Sequence, residues 1–174
     1  MGYSTGGIIF KNGGHLTDEG ILTTLKRESF GYTDDISFEN ATSSSLSGIA
    51  IGRIGDNVMV FGRDIPHSCS FEGNALSKLD ERLESVSNDG DIICFLMNSV
   101  SNVYAWSIFR RGKREHTVSA VAGKTIAEIG RDTDYDEGLK ANENDLMKLL
   151  ENFTGHSFVD MISAGDFSFK AYYR

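Results

Sequence analysis

"NVYAWSIFRRGKREHTVSAV", residues 102–121, is the stretch on which the fold turns. Strand alternation over Val103–Phe109 puts Tyr104, Trp106 and Ile108 on one face and Val103, Ala105, Ser107 and Phe109 on the other. A second arm runs from Arg114 to Val121, and Gly112 stands where the chain must turn, so the segment predicts a β-hairpin. Arg110, Arg111, Lys113 and Arg114 crowd that turn. Long charged side chains commonly keep sheet ends soluble and unpaired, and the tip is expected to do only that. Four cations on a turn are also a means of holding phosphate or an acidic segment.

Working outward, "DIICFLMN" (91–98) is apolar on both faces, which places it centrally in a sheet. "GIAIGRIGDNVMVFG" (48–62) predicts two strands turning at Gly55-Asp56-Asn57, and "GGIIF" (6–10) a short buried strand. Phe167, Phe169, Ala171 and Tyr173 alternate in a closing strand. Thr17 caps a helix running to about Arg27, with Leu16 and Ile21 spaced as a hydrophobic staple. Asn74 is the expected cap of a second, with Leu76, Leu79, Leu83 and Val86 inward and "NDG" (88–90) as its stop. A third covers Asn144–Phe153, with Gly155 ending it. "ATSSSLSG" (41–48) is a loop. The expected fold is α+β, a mainly antiparallel sheet with about three helices packed against it, in one domain spanning 1–174.

The formal net charge is -8 and the pI about 4.9, which disfavours nucleic acid because phosphates are repelled before contact. No apolar run approaches the roughly 20 residues of a membrane span. The N-terminus lacks the basic start and apolar stretch of a signal peptide. Gly2 fails the acylation motif because Gly6 stands where Ser or Thr is required. Cys69 and Cys94 are expected as separate reduced thiols, with Cys94 in the core. The expected location is the cytoplasm.

"DTDYDEGLKANE" (132–143) has the spacing of a calcium loop. With Asp132 first, Asp134 stands third, Asp136 fifth, Leu139 eighth and Glu143 twelfth. Glu137 occupies the sixth position, where the sharp turn wants glycine, and Gly138 comes one place late. An acidic loop leading into a helix explains the same residues. "VSAVAGKT" (118–125) lacks the first glycine of a phosphate-binding loop, since Val118 replaces it. His15, His67, His116 and His156 show no zinc-type spacing. "HLT" (15–17) is half of a paired phosphoesterase signature with no second half. "MNSVSN" (97–102) supplies Asn98, Ser99, Ser101 and Asn102, which suit a turn and would also line a pocket near Trp106.

From Cys94 to Gly130 the order is an apolar strand, a Ser-containing turn, an Ala-Trp strand, a Gly hairpin flanked by Arg and an "IAEIG" ending. Ser99, Ala105, Trp106, Gly112, Arg114, Ser119, Ile129 and Gly130 carry it. This resembles an uncharacterised family of bacterial cytoplasmic domains. The resemblance implies a structural frame and no activity, and its members lack a spaced Asp triplet after the "IG".

Function is accordingly expected to be non-catalytic: a soluble module presenting an acidic surface to a protein partner, itself basic. A toxin-neutralising immunity protein is one form. No cofactor is expected on that account, and neither nucleic acid nor membrane is a partner. The alternatives are a calcium domain using Asp132, Asp134, Asp136 and Glu143, and a small-molecule enzyme with a pocket near residues 98–106. The candidate binding residues are Arg110, Arg111, Lys113, Arg114, Trp106, Asn98 and Ser99.

Overall fold

The computed structural model describes residues 4–164 and 167–174. Gly2, of the failed acylation motif, and Asp166, next to the closing strand, lie outside them. In chain order the elements are β1 (Ser4–Phe10), α1 (Asp18–Thr24), β2 (Gly31–Ser37), α2 (Phe38–Ala41), β3 (Ile49–Ile54), β4 (Asn57–Gly62), α3 (Lys78–Val86), β5 (Ile92–Asn98), β6 (Val103–Arg110), β7 (Lys113–Val121), β8 (Lys124–Gly130), α4 (Glu143–Thr154), α5 (Phe158–Ala164) and β9 (Ser168–Tyr173). A 3-10 turn covers Pro66–Ser68.

The strands form one nine-stranded sheet in the order β2-β9-β3-β4-β1-β5-β6-β7-β8. Every neighbouring pair is antiparallel. Helix amounts to only about 24% of the chain. The expected α+β domain with three helices packed on a sheet is therefore corrected to a mostly β architecture. The difference lies in β2 and β8, the two edge strands. "GYTDDIS" and "KTIAEIG" are exposed along nearly their whole length, so they carry no apolar alternation for a sequence reading to detect.

The central strands are apolar on both sides because both faces of the sheet are covered. On one face Tyr104, Trp106 and Ile108 join Phe95, Phe61 and the inward side chains Leu146, Leu149, Leu150 and Phe153 of α4. Phe38, Phe61, Phe95 and Phe158 meet edge to face there, with ring centroids 5.0–6.3 Å apart, the arrangement that aromatic quadrupoles favour. On the other face Ala105, Phe109, Ile92 and Cys94 meet Ile21 and Leu22 of α1 and Leu79 and Leu83 of α3. The alternation read from the hairpin thus sorts its side chains between two cores.

Helix ends follow local chemistry. The Thr17 hydroxyl accepts from the Gly20 amide, and Asn142 accepts from Asp145. Gly155 closes α4 at φ 76°, a left-handed conformation that costs glycine nothing. α3 begins later than Asn74 predicts. Ser77 and Asp80 form a reciprocal capping box, which satisfies two amides at once and outcompetes a single cap. Cys69 and Cys94 were expected as separate thiols, but the fold brings their sulfurs into disulfide contact, with Cα atoms 7.4 Å apart. That span is wider than the usual ~4.4–6.8 Å. No helix among the described residues is long and apolar enough to cross a membrane.

Candidate functional site

The hairpin tip is held down rather than left in solvent. Arg111 (φ 53°) and Gly112 (φ 79°) make the two-residue turn, with both residues at positive φ as a tight hairpin requires. The Arg111 amide donates to the Ser87 carbonyl (3.1 Å) and the Gly112 amide to Ser87 Oγ (3.0 Å). Both contacts fall at the C-terminal end of α3. Arg111 and Lys113 point outward and are exposed.

The other two cations are absorbed by the fold. Arg110 pairs with Asp134 (2.6 Å) and Asp91 (3.3 Å) and lies 5.2 Å from the Tyr135 ring centroid. Partial burial works against its charge, but Asp91 and Asp134 outweigh that and strengthen it. Arg114 has a side chain only 4% exposed and donates to the carbonyls of Ser70 (2.9 Å), Gly73 (2.9 Å) and Asn74 (3.2 Å). It also faces Asp80, which is wholly buried, at 3.7 Å. Arg111 and Lys113 are thus exposed at the tip, whereas the expectation of a solvated side chain is corrected for Arg110 and Arg114.

A β-bulge separates Arg114 from His116. Ile108 pairs with His116 and Phe109 with Arg114, leaving Glu115 as the extra residue. Residues two apart in a regular strand share a face, and one extra residue sends them to opposite faces. Arg114 thereby meets α3 on one side, while His116 turns toward Trp106 and the 132–137 loop on the other.

His116 is the centre of a buried polar cluster. Its Nδ1 lies 2.5 Å from Asp136 Oδ2, and Trp106 Nε1 donates to the same oxygen at 2.8 Å. Asp136 Oδ1 accepts from the Thr133 amide (2.7 Å) and hydroxyl (2.9 Å). An ionised carboxylate only accepts, so Nδ1 carries the proton of the short contact. Burial pushes the Asp136 carboxyl up, but the bonds from His116, Trp106 and Thr133 hold it below the usual carboxylate range. For His116, burial opposes the charge, and Asp136 first, then Asp132 and Glu128, raise its pKa above the ordinary value. His116 Nε2 is buried and without a hydrogen-bond partner. It looks toward Glu128 Oε1 at 3.7 Å and Asp132 Oδ1 at 3.6 Å.

Strand register and one glycine assemble these groups. Glu128 pairs with Val118, and His116 with Gly130, so Glu128 is a diagonal neighbour of His116 on the same face. Gly130 has φ +85°, and a Cβ there would sit 2.0 Å from the Glu115 carbonyl oxygen. Only glycine permits this close passage over the bulge, after which the chain carries Asp132 back to His116. Gly130→Ala is expected to lower the unfolding free energy by about 1–3 kcal/mol, read by chemical denaturation. An unchanged midpoint would show that the loop reaches His116 without the glycine.

The remaining sequence candidates are dispersed. Of the four carboxylates in the calcium spacing, Asp132 faces His116, Asp134 pairs with Arg110, Asp136 is turned into the core, and Glu143 accepts from the Tyr104 hydroxyl at 3.2 Å. Trp106 is 0% exposed, so it lines the core. Asn98 Oδ1 accepts from the Ser101 amide (3.1 Å), the turn role expected of it, and Ser99 bonds the Tyr104 hydroxyl. A cleft of about 510 Å³ does reach Asn98 and Ser101, and Arg63, His67 and Ser44 also line it.

Comparison with family models, curated proteins and solved structures gave no match. Sequence reasoning set His116 aside with the other histidines and did not reach Glu128, because the two stand on adjacent strands at no recognisable ligand spacing. Gly130 was in view only as part of an "IG" ending.

Proposed function

We propose that the protein is a non-catalytic binding module that meets a basic protein partner through the acidic edge of its sheet at β2. One observation carries this. Tyr32, 57% exposed, donates its hydroxyl to Asp35 (3.3 Å) on an edge strand that also carries exposed Asp34, beside an open cleft of about 710 Å³ lined by Glu19 and Tyr172 as well as Arg53 and Lys170. An exposed tyrosine among carboxylates suits a lysine or arginine side chain, which gains both charge pairing and contact with the ring face. The net charge of -8 adds long-range attraction that speeds encounter with a basic surface. β2 carries a bulge between Tyr32 and Asp34, a feature that discourages strand-to-strand pairing, so recognition runs through side chains. A toxin-neutralising immunity protein is one module of this kind.

The test is affinity capture from the organism that encodes the chain, comparing wild type with the Asp34→Lys, Asp35→Asn double variant. Asparagine is chosen at position 35 because Lys170 lies opposite in the register. A partner recovered by wild type should associate at least ~10-fold more slowly with the variant and more slowly at high salt. Equal capture by both, or none at physiological salt, would overturn the proposal. The cleft at Asn98 favours a second reading, a small-molecule site using Arg63 and His67. Saturable binding of a metabolite that Arg63→Ala abolishes would support it, and unchanged binding would reject it.

A further inference from the structure

We propose that His116, Glu128 and Asp132 hold a divalent transition-metal ion of the zinc type, with Asp136 orienting the imidazole from behind. The three potential ligand atoms lie within 4.8 Å of one another. A tetrahedral ion with ligands at about 2.1 Å spaces them roughly 3.4 Å apart. The gaps from Nε2 to the two carboxylates are 3.7 Å and 3.6 Å, so the imidazole side is already near that geometry. Glu128 and Asp132 are 60% and 44% exposed and have room to close on an ion.

The acidic residues alone would not carry this. The independent observation is His116 Nε2, a polar atom on a side chain only 3% exposed, without a hydrogen-bond partner and aimed between the two carboxylates. A buried polar atom left without a partner is costly, and a metal bond satisfies it. The other ring nitrogen is fixed by Asp136, and Asp136 is fixed in turn by Trp106 and Thr133. A carboxylate behind the histidine is the usual support of a metal-bound imidazole, since it sets the tautomer and raises the ligand's basicity. One imidazole with two carboxylates suits a borderline ion better than calcium or magnesium, which prefer oxygen alone. Three protein ligands leave a fourth position open to water. Of the four carboxylates in the 132–143 spacing, only Asp132 is a ligand here.

Zn2+ alone is the probe, titrated into the whole chain in chelator-free, non-coordinating buffer. Calorimetry is read beside the emission of Trp106, the single tryptophan, which is bonded to the carboxylate that holds His116. The expected result is one Zn2+ per chain, a change in Trp106 emission, and at least ~100-fold weaker response to Mg2+ and Ca2+. Free Zn2+ at a hundred times Kd should raise Tm by roughly 5–10 °C. Glu128→Gln and Asp132→Asn are surface changes that leave the core intact, and each should weaken binding at least ~10-fold. His116→Ala should abolish it. Absence of binding would overturn the proposal and leave His116 as an imidazolium paired with three carboxylates. Binding that survives both Glu128→Gln and Asp132→Asn would overturn it equally, by placing the ion at another histidine. Neither outcome touches the proposal for β2, at the opposite edge of the sheet.

Discussion

Arg114→Ala is expected to lose about 3–5 kcal/mol of unfolding free energy, a large part of the stability of an ordinary domain. The guanidinium is buried against Asp80 and supplies three carbonyls in the 70–74 segment with donors. Removing it leaves a wholly buried carboxylate without its guanidinium partner and three carbonyls without the donor they share. Asp80 also accepts from the amides of Ser70 and Ser77, so the start of α3 should loosen as well. Urea denaturation followed by far-UV circular dichroism reads the loss. Arg111→Ala, at the exposed corner of the same turn, should change stability by less than about 0.5 kcal/mol. If the two variants unfold alike, Arg114 is a surface charge and the buried pair is not holding the hairpin to α3.

Asp136→Ala is expected to cost a similar amount, about 3–5 kcal/mol, through the other core. It leaves Trp106 Nε1, His116 Nδ1 and the Thr133 amide without their acceptor in a site where water does not reach. Trp106 emission should shift at the same time, because the indole N–H loses the carboxylate it donates to. Asp136→Asn keeps one carbonyl oxygen in place and should cost less, about 1–3 kcal/mol. Should Asp136→Ala unfold at the wild-type midpoint with unchanged emission, the cluster contributes nothing to the fold.

Much of the frame was legible. The alternation in 103–109 told which side chains of β6 enter which core, and "DIICFLMN" revealed a strand covered on both faces. Thr17 and Gly155 marked helix ends where the structure has them. β2 and β8 were not legible, because an edge strand that buries neither face has no reason to alternate. That omission turned a mostly β sheet into an expected α+β fold. The candidate site was half visible: Asp132 and Asp136 stood out as acids, whereas His116 and Glu128 gave no signal.

By itself the sequence determined the periodic strands, their turns and the helix ends at Thr17 and Gly155, since those depend on neighbours within a few residues. Only the tertiary structure decided what the charged residues of "FRRGKREH" do. Arg114 and His116 are two positions apart, yet the bulge at Glu115 sends one to Asp80 and the other to Asp136. Which face each charge enters depends on strand register and on partners tens of residues away, and no local pattern encodes that.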